Sequence, residues 1–160
     1  MTAIDTRDRT PSLVLPAQTR EELITRARTG SPREVCGILG GTFGAERSHV
    51  QSQYPVTNVA DRPRSRYRID PEDQLEIFDR LEAGGEEIVG FYHSHPWGPP
   101  KPSETDARDA TWPDRSYLIV SLDPFEIGSW RWRSATDRET SNTQSTAHGG
   151  WFERERVVLE

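Results

Sequence analysis

The sequence predicts a single mixed α/β domain built on a curved sheet with flanking helices. Short apolar or alternating runs that read as strands are interleaved, irregularly, with stretches of helical periodicity. The length of 160 residues suits one domain. A chain of that size buries roughly two-thirds of its unfolded surface, enough for a core without disulfide or metal staples.

The elements follow in order. Residues 1–11 form a polar N-terminal tail. SLVLP (12–16) reads as a short strand, and Pro16 opens a helix over AQTREELITRART, with Leu23, Ile24 and Ala27 at helical spacing and Gly30 as its stop. EVCGILGG (34–41) is a buried strand ending in a turn. SHVQSQYPV (48–56) is its antiparallel neighbour, made an edge or bulged by Pro55. NVADRPRSR (58–66) lacks periodicity and reads as a mobile loop, followed by a short strand RYRI (66–69). Asp70-Pro71-Glu72 starts a helix, with proline at its first position and acids in its first turn. It carries Leu75, Ile77, Phe78 and Leu81 and stops at Gly84-Gly85. EIVGFYHSH (87–95) is a strand, SETDARDAT (103–111) a helix, and SYLIVSL (116–122) the central strand. IGSWRWR (127–133) alternates as a further strand. Residues 134–150 hold no large apolar side chain and read as a looping or disordered insert. WFERERVVL, within 151–160, returns to the sheet as a last strand.

Composition narrows the function. Hydrophobic residues make up 32% and charged residues 29%, which fits a modest core with polar tails. A net charge of −6 with no clustered basic stripe argues against a nucleic-acid partner. The single cysteine, Cys36, excludes an internal disulfide and a cysteine-based zinc cluster. The N-terminus has no apolar signal segment, and no apolar run approaches a membrane span. The expectation is a cytoplasmic protein without a membrane partner.

The chemistry concentrates in GFYHSHPWGPPKPSETD, Gly90–Asp106. His93 and His95 are two apart on a predicted strand, so both imidazoles project from one face. Ser103 follows, with Asp106 one turn into the next helix, and the prolines between make a stiff return. Two histidines and a carboxylate would leave a tetrahedral zinc one open position, the arrangement of a hydrolytic site. Ser-Glu-Thr-Asp is equally the pattern of a capped helix start, and a cap can also be a site residue.

Together with Glu34 in the upstream apolar strand, these residues resemble the JAMM/MPN+ zinc metalloproteases. The similarity extends to P-R-E-V-C-G-I-L-G-G, P-V-x-N, R-Y-x-I-D-P, G-F-Y-H-S-H-P and Y-L-I-V-S-L, and covers about residues 12–133. It points to the small stand-alone prokaryotic members. The resemblance implies a curved, mainly antiparallel sheet with flanking helices. It implies one Zn²⁺ per chain on His93, His95 and Asp106, Glu34 as general base and then general acid, and Ser103 hydrogen-bonding the oxyanion or the metal-bound water. The family hydrolyses the amide after the Gly-Gly tail of a ubiquitin-like protein. The expected partner is therefore such a modifier joined to lysine, as for desampylases, or a sulfur-carrier protein joined to cysteine. The loop 58–66 and the segment after Asp106 are the candidates for gripping the tail. A catalytically dead scaffold of the same fold and a DNA-repair-associated relative are the readings of a different class. All five motif positions are intact, and Ser94 and the Glu-Val-Cys-Gly strand fit the peptidase branch better.

The remaining candidates have plainer roles. Cys36 is expected to be a small core residue, and His49 and His148 surface residues. Trp97 is expected to be a packing anchor ahead of a residue that covers the site or touches substrate, and Trp112 and Trp130 core or sheet-face residues. Glu104, Asp109 and Asp114 are expected to be solvated.

Overall fold

A computed structural model describes residues 9–135 and 148–160. Seven strands and three helices alternate along these residues: β1 (Ser12–Leu15), α1 (Ala17–Gly30), β2 (Cys36–Thr42), β3 (Arg47–Val56), α2 (Pro71–Ala83), β4 (Glu87–His95), α3 (Glu104–Asp109), β5 (Ser116–Leu122), β6 (Phe125–Ser134) and β7 (Gly150–Leu159). The sheet is mixed and mainly antiparallel, in the order β1-β3-β2-β4-β5-β6-β7, and it curls until β7 meets β1. Three pairings are parallel: β1 with β3, β1 with β7, and β4 with β5. The last needs a crossover, and the crossover carries α3 and the proline-rich return.

Alternation along the strands divides the core in two. Leu39 of β2 and Tyr92 of β4 join Leu23, Ile24 and Ala27 of α1 in one cluster. Their neighbours Ile38 and Phe91 point the other way and join Ile77 and Leu81 of α2. His93 and His95 follow Phe91 at the same parity, so they project on the α2 side of the sheet, at the far end of β4.

α2 begins as its sequence predicts. The Asp70 carboxylate accepts from the Glu72 backbone N–H at 2.8 Å, and Pro71 occupies the first turn. Leu75 faces outward at the surface, while Ile77 and Leu81 carry the packing.

Three expectations need correction. RYRI is not a strand: the stretch makes a single bridge, Asn58 to Ile69. These four residues stand between a loop and the start of α2, and among the described residues no strand runs beside them. The bulge in the β2–β3 ladder falls at Gly40/Gly41 rather than at Pro55. Gly41 sits there at φ +154°, and any Cβ would strike the His49 carbonyl. Pro55 pairs with Gly37 on one side, while β1 reaches β3 only at Arg47–His49, so the missing N–H costs no ladder bond. Trp97 is not a packing anchor, being 61% exposed at the tip of its loop.

Of the segment 134–150, residues 136–147 lie outside the described residues, as do 1–8 of the N-terminal tail. β7 pairs with both β6 and β1. No helix among the described residues is long and apolar enough to cross a membrane.

Candidate metal centre

The ends of β2 and β4 set the first part of the site. β2 and β4 are antiparallel with Cys36 opposite His93. The ladder continues past β2 through Ser94 N–H to the Val35 carbonyl at 3.0 Å, and Val35 N–H to the Ser94 hydroxyl at 2.8 Å. That register sets Glu34 opposite His95. Ser94, the residue between the histidines, is thus the rivet that holds the Glu34 segment to the histidine strand.

The second part arrives with α3. Ser103 and Asp106 form a reciprocal capping box. The Asp106 N–H donates to Ser103 Oγ at 3.0 Å, and the Ser103 N–H donates to Asp106 Oδ2 at 2.8 Å. The same Oδ2 lies 3.1 Å from His93 Nε2 and 3.2 Å from His95 Nε2, and the two ring nitrogens are 3.1 Å apart. Asp106 thus caps α3 and reaches both imidazoles with the same oxygen. The Ser103 hydroxyl accepts one bond in its cap and keeps its proton for donation.

Between the two parts, the proline-rich return is fastened carbonyl by carbonyl. Ser121 Oγ donates to Gly98 O, His95 Nδ1–H to Pro99 O at 3.0 Å, and Trp130 Nε1–H to Pro100 O at 3.0 Å. Gly98 itself sits at φ +93°, open to glycine without strain. Because a carbonyl only accepts, Pro99 fixes the proton of neutral His95 on Nδ1. The Nε2 lone pair then faces the Asp106 carboxylate at 3.2 Å, two acceptors with no proton between them.

A cation resolves that conflict. Ligands held about 2.0–2.1 Å from a tetrahedral zinc stand roughly 3.3 Å from one another, which the three observed separations approach. The donor chemistry, two imidazoles and a carboxylate, suits zinc, so the residues present fit the metal. Glu34, His93 and His95 also offer ligand atoms within 4.8 Å of one another, all three residues buried. Glu34 is the buried carboxylate left over: its Oε1 has no hydrogen-bond partner among the described residues.

Electrostatics follow the geometry. Burial pushes the Glu34 carboxyl above its ordinary range, with His93 and His95 pulling partly back. Burial would also raise Asp106, but the charge that His93 carries when protonated, the hydrogen bonds that both rings donate in their protonated form, and the Ser103 N–H hold it well below the usual carboxylate range. Burial depresses His95, yet the bonds that its protonated ring makes to Asp106 and Pro99 leave it raised overall. Burial drives the Cys36 thiol up to about 12, which makes it an inert core residue and no nucleophile.

Three contributors were not singled out as site residues in the sequence. Tyr67 stacks on His93 with ring centroids 4.3 Å apart and planes 21° apart. Asn58 uses all its side-chain bonding capacity on backbone: Nδ2 to the carbonyls of Glu34 (2.9 Å) and Arg66 (3.0 Å), and Oδ1 from the N–H groups of Ala60 and Arg68 (both 3.0 Å). The loop expected to be mobile is thereby tied to the Glu34 segment. Ser94 is the third. Asn58 and Tyr67 lie in the quoted P-V-x-N and R-Y-x-I-D-P stretches, which were the signal available for them.

The other candidates stay apart from the site. His49 is exposed, and His148 lies 3.9 Å from Glu104. Asp109 and Asp114 are not simply solvated, since they pair with Arg66 and Arg133.

Fold, donor cluster and unpaired carboxylate define a hydrolase of the peptidase kind. The chain belongs to the family of prokaryotic homologs of the JAB domain, whose pattern matches residues 16–133. It is 41% identical over 133 residues to the desampylase of Haloferax volcanii, covering 81% of this chain and 94% of that one. It is 38% identical over 122 residues to the CysO-cysteine peptidase of Mycobacterium tuberculosis, covering 74% and 82%. A solution structure of a protein from Desulfitobacterium hafniense superposes with a TM-score of 0.74 at 29% identity, covering 92% of each chain.

Proposed function

We propose that the chain is a zinc-dependent isopeptidase that cuts the amide joining the Gly-Gly tail of a ubiquitin-like modifier to a lysine amine. The observation that carries this is the cluster of His93 Nε2, His95 Nε2 and Asp106 Oδ2, three atoms within 3.2 Å of one another, beside the unpaired Glu34 carboxylate. His93, His95 and Asp106 would hold the metal. Zinc bound there supplies Lewis-acid polarisation of the scissile carbonyl and a lowered pKa for water.

The chain's own residues do the rest. Glu34 takes a proton from the attacking water as the new C–O bond forms, and passes it to the leaving amine as the C–N bond breaks. A carboxyl raised by burial is suited to both transfers. Ser103 donates its hydroxyl proton to the developing oxyanion. A cavity of about 370 Å³ between Arg66–Ile69 and Arg108–Trp112 is lined by Tyr67, which stacks on His93, and there the tail would be gripped. The cytoplasm is the setting proposed.

The likeness to the desampylase, over more of both chains and at higher identity, favours a lysine-linked substrate. The likeness to the CysO-cysteine peptidase supports a second reading, release of cysteine from a sulfur-carrier protein. Incubation with a lysine-linked modifier conjugate and with a sulfur-carrier–cysteine adduct separates the two. Cleavage of the conjugate, abolished by chelator and restored by zinc, is the expected result. Cleavage of the adduct alone supports the second reading. Cleavage that survives complete chelation, or elemental analysis finding no zinc in protein purified without chelator, overturns the metal-dependent assignment.

A further inference from the structure

The described surface beside the metal centre carries charge of the opposite sign to the chain. The sequence has a net charge of −6, yet Arg62, Arg64, Arg66 and Arg68 fall within one loop of a few residues. The fold adds Arg108, two residues beyond Asp106. Arg66, Arg68 and Arg108 line the cavity next to Tyr67, and Arg62, Arg66 and Arg108 line a second one of about 440 Å³ against it. Asp61 and Asp109 are the acids lining these two cavities, and Asp109 is engaged by Arg66 at 3.3 Å. Arg62, Arg64, Arg68 and Arg108 are exposed.

The loop is held in place before any partner arrives. The four Asn58 bonds brace it, the Val59 N–H donates to Arg68 O at 2.9 Å, and the Glu34 N–H donates to Pro63 O at 2.7 Å. The guanidinium groups therefore stand on a preorganised frame. Behind them the first cavity is floored by Phe91, Trp112 and Tyr117. A cleft rimmed by one sign of charge with low-dielectric walls focuses the field and raises the capture rate of opposite charge.

Resting on the isopeptidase reading, we infer that this arginine collar selects ubiquitin-like modifiers whose surface around the Gly-Gly tail is acidic. The collar lies on the tail-gripping side of the site, so the charge it reads belongs to the modifier. Nucleic acid is the other polyanion to consider. A surface of five arginines interrupted by two aspartates, on an acidic chain beside an amide-cutting centre, favours carboxylates.

The test uses a β-grasp domain ending in Gly-Gly, joined through its C-terminus to a fluorescent lysine. It is made in two versions that differ only in carrying carboxylates or ammonium groups on the residues around the tail. Both cleavage and anisotropy-detected binding are measured with the zinc-loaded full chain. The acidic version should be preferred by roughly 10-fold in kcat/KM at low salt, with the preference shrinking as salt rises. Arg62→Glu with Arg108→Glu should abolish or invert the ratio, and Arg62→Lys with Arg108→Lys should keep it. Equal handling of the two versions, in cleavage and in binding, overturns the inference while leaving the isopeptidase intact. So does a ratio unmoved by charge reversal, or a duplex oligonucleotide that blocks the collar at stoichiometric concentration. If neither version is cut, the isopeptidase reading is what fails, and the binding ratio still decides the collar.

Discussion

Two buried polar clusters sit in this barrel, and they differ in whether the chain completes them. At the seam where β1, β6 and β7 meet, Arg131 is fully buried and Glu155 nearly so. Arg131 Nε bonds Glu155 Oε2 at 2.7 Å, and Ser129 donates to the other carboxylate oxygen at 2.6 Å. The remaining Arg131 nitrogens reach the carbonyls of Gly44, Ala45 and Ser12 and the Ser48 hydroxyl. Every nitrogen of that guanidinium is satisfied. At the end of β4 the opposite holds. The lone pair of neutral His95 and the Asp106 carboxylate face each other, while Glu34 Oε1 and His93 Nδ1 are buried with no partner among the described residues. A polar cluster that the protein satisfies by itself holds structure together. One left unsatisfied marks where something from outside belongs.

The sharpest way to break this contrast is to empty each cluster in turn. Arg131→Ala leaves Glu155 as an uncompensated buried charge and should cost about 3–5 kcal/mol, read from urea unfolding. Replacing both partners with apolar residues should cost far less. A loss below 1 kcal/mol for the single change would show that the seam does not depend on the pair. At the metal centre, Glu34→Gln should leave folding and zinc content intact and lower the rate by roughly 10²–10⁴-fold. Wild-type turnover in that variant would remove Glu34 from the chemistry.

Ser103 tests how cleanly the two kinds of cluster separate, because it belongs to both. As a cap, Ser103→Ala should lower stability by about 1 kcal/mol. As an oxyanion donor it should also lower the rate by roughly 10²–10³-fold. Thermal denaturation and single-turnover kinetics on the same preparation separate the roles. A less stable but fully active variant would leave only the cap.

What the sequence made legible follows from which physics is local. Two histidines at strand spacing, then Ser103 and Asp106 at the start of a helix, could be placed on one face from periodicity alone. Glu34 could not: a charge beside an apolar strand reads as a strand entry, and its place opposite His95 depends on β2–β4 register. Ser94 is invisible for the same reason. RYRI read as a strand because it alternates, and 58–66 as mobile because it does not. Neither pattern reports that one asparagine fastens the whole loop through four backbone contacts. Nor does composition report that the loop's arginines meet Arg108 across a cavity, or that β7 returns to close the sheet on β1. Long-range pairing and side-chain-to-backbone clamps leave no periodic trace.

Tyr67 offers the smallest effect and a direct test of what the unsatisfied cluster lacks. A metal-ligating histidine ordinarily donates its second ring N–H to a carboxylate or carbonyl, which fixes its orientation. His95 has that partner in Pro99, whereas His93 Nδ1 has none among the described residues. The ring of His93 is held instead by the face of Tyr67, stacked at 4.3 Å. Removing that face should loosen the imidazole and weaken the metal. We expect Tyr67→Leu to lower zinc affinity by about 10-fold, the low end of what loss of an orienting partner costs. Tyr67→Phe keeps the stacking surface and should stay within about twofold. Chelator competition gives the affinities, and the visible spectrum of the cobalt-substituted protein reports ligand geometry independently of turnover. Equal affinities and spectra across the three proteins would mean that the strand and the Asp106 contact orient His93 without help, and that Tyr67 is merely cavity wall.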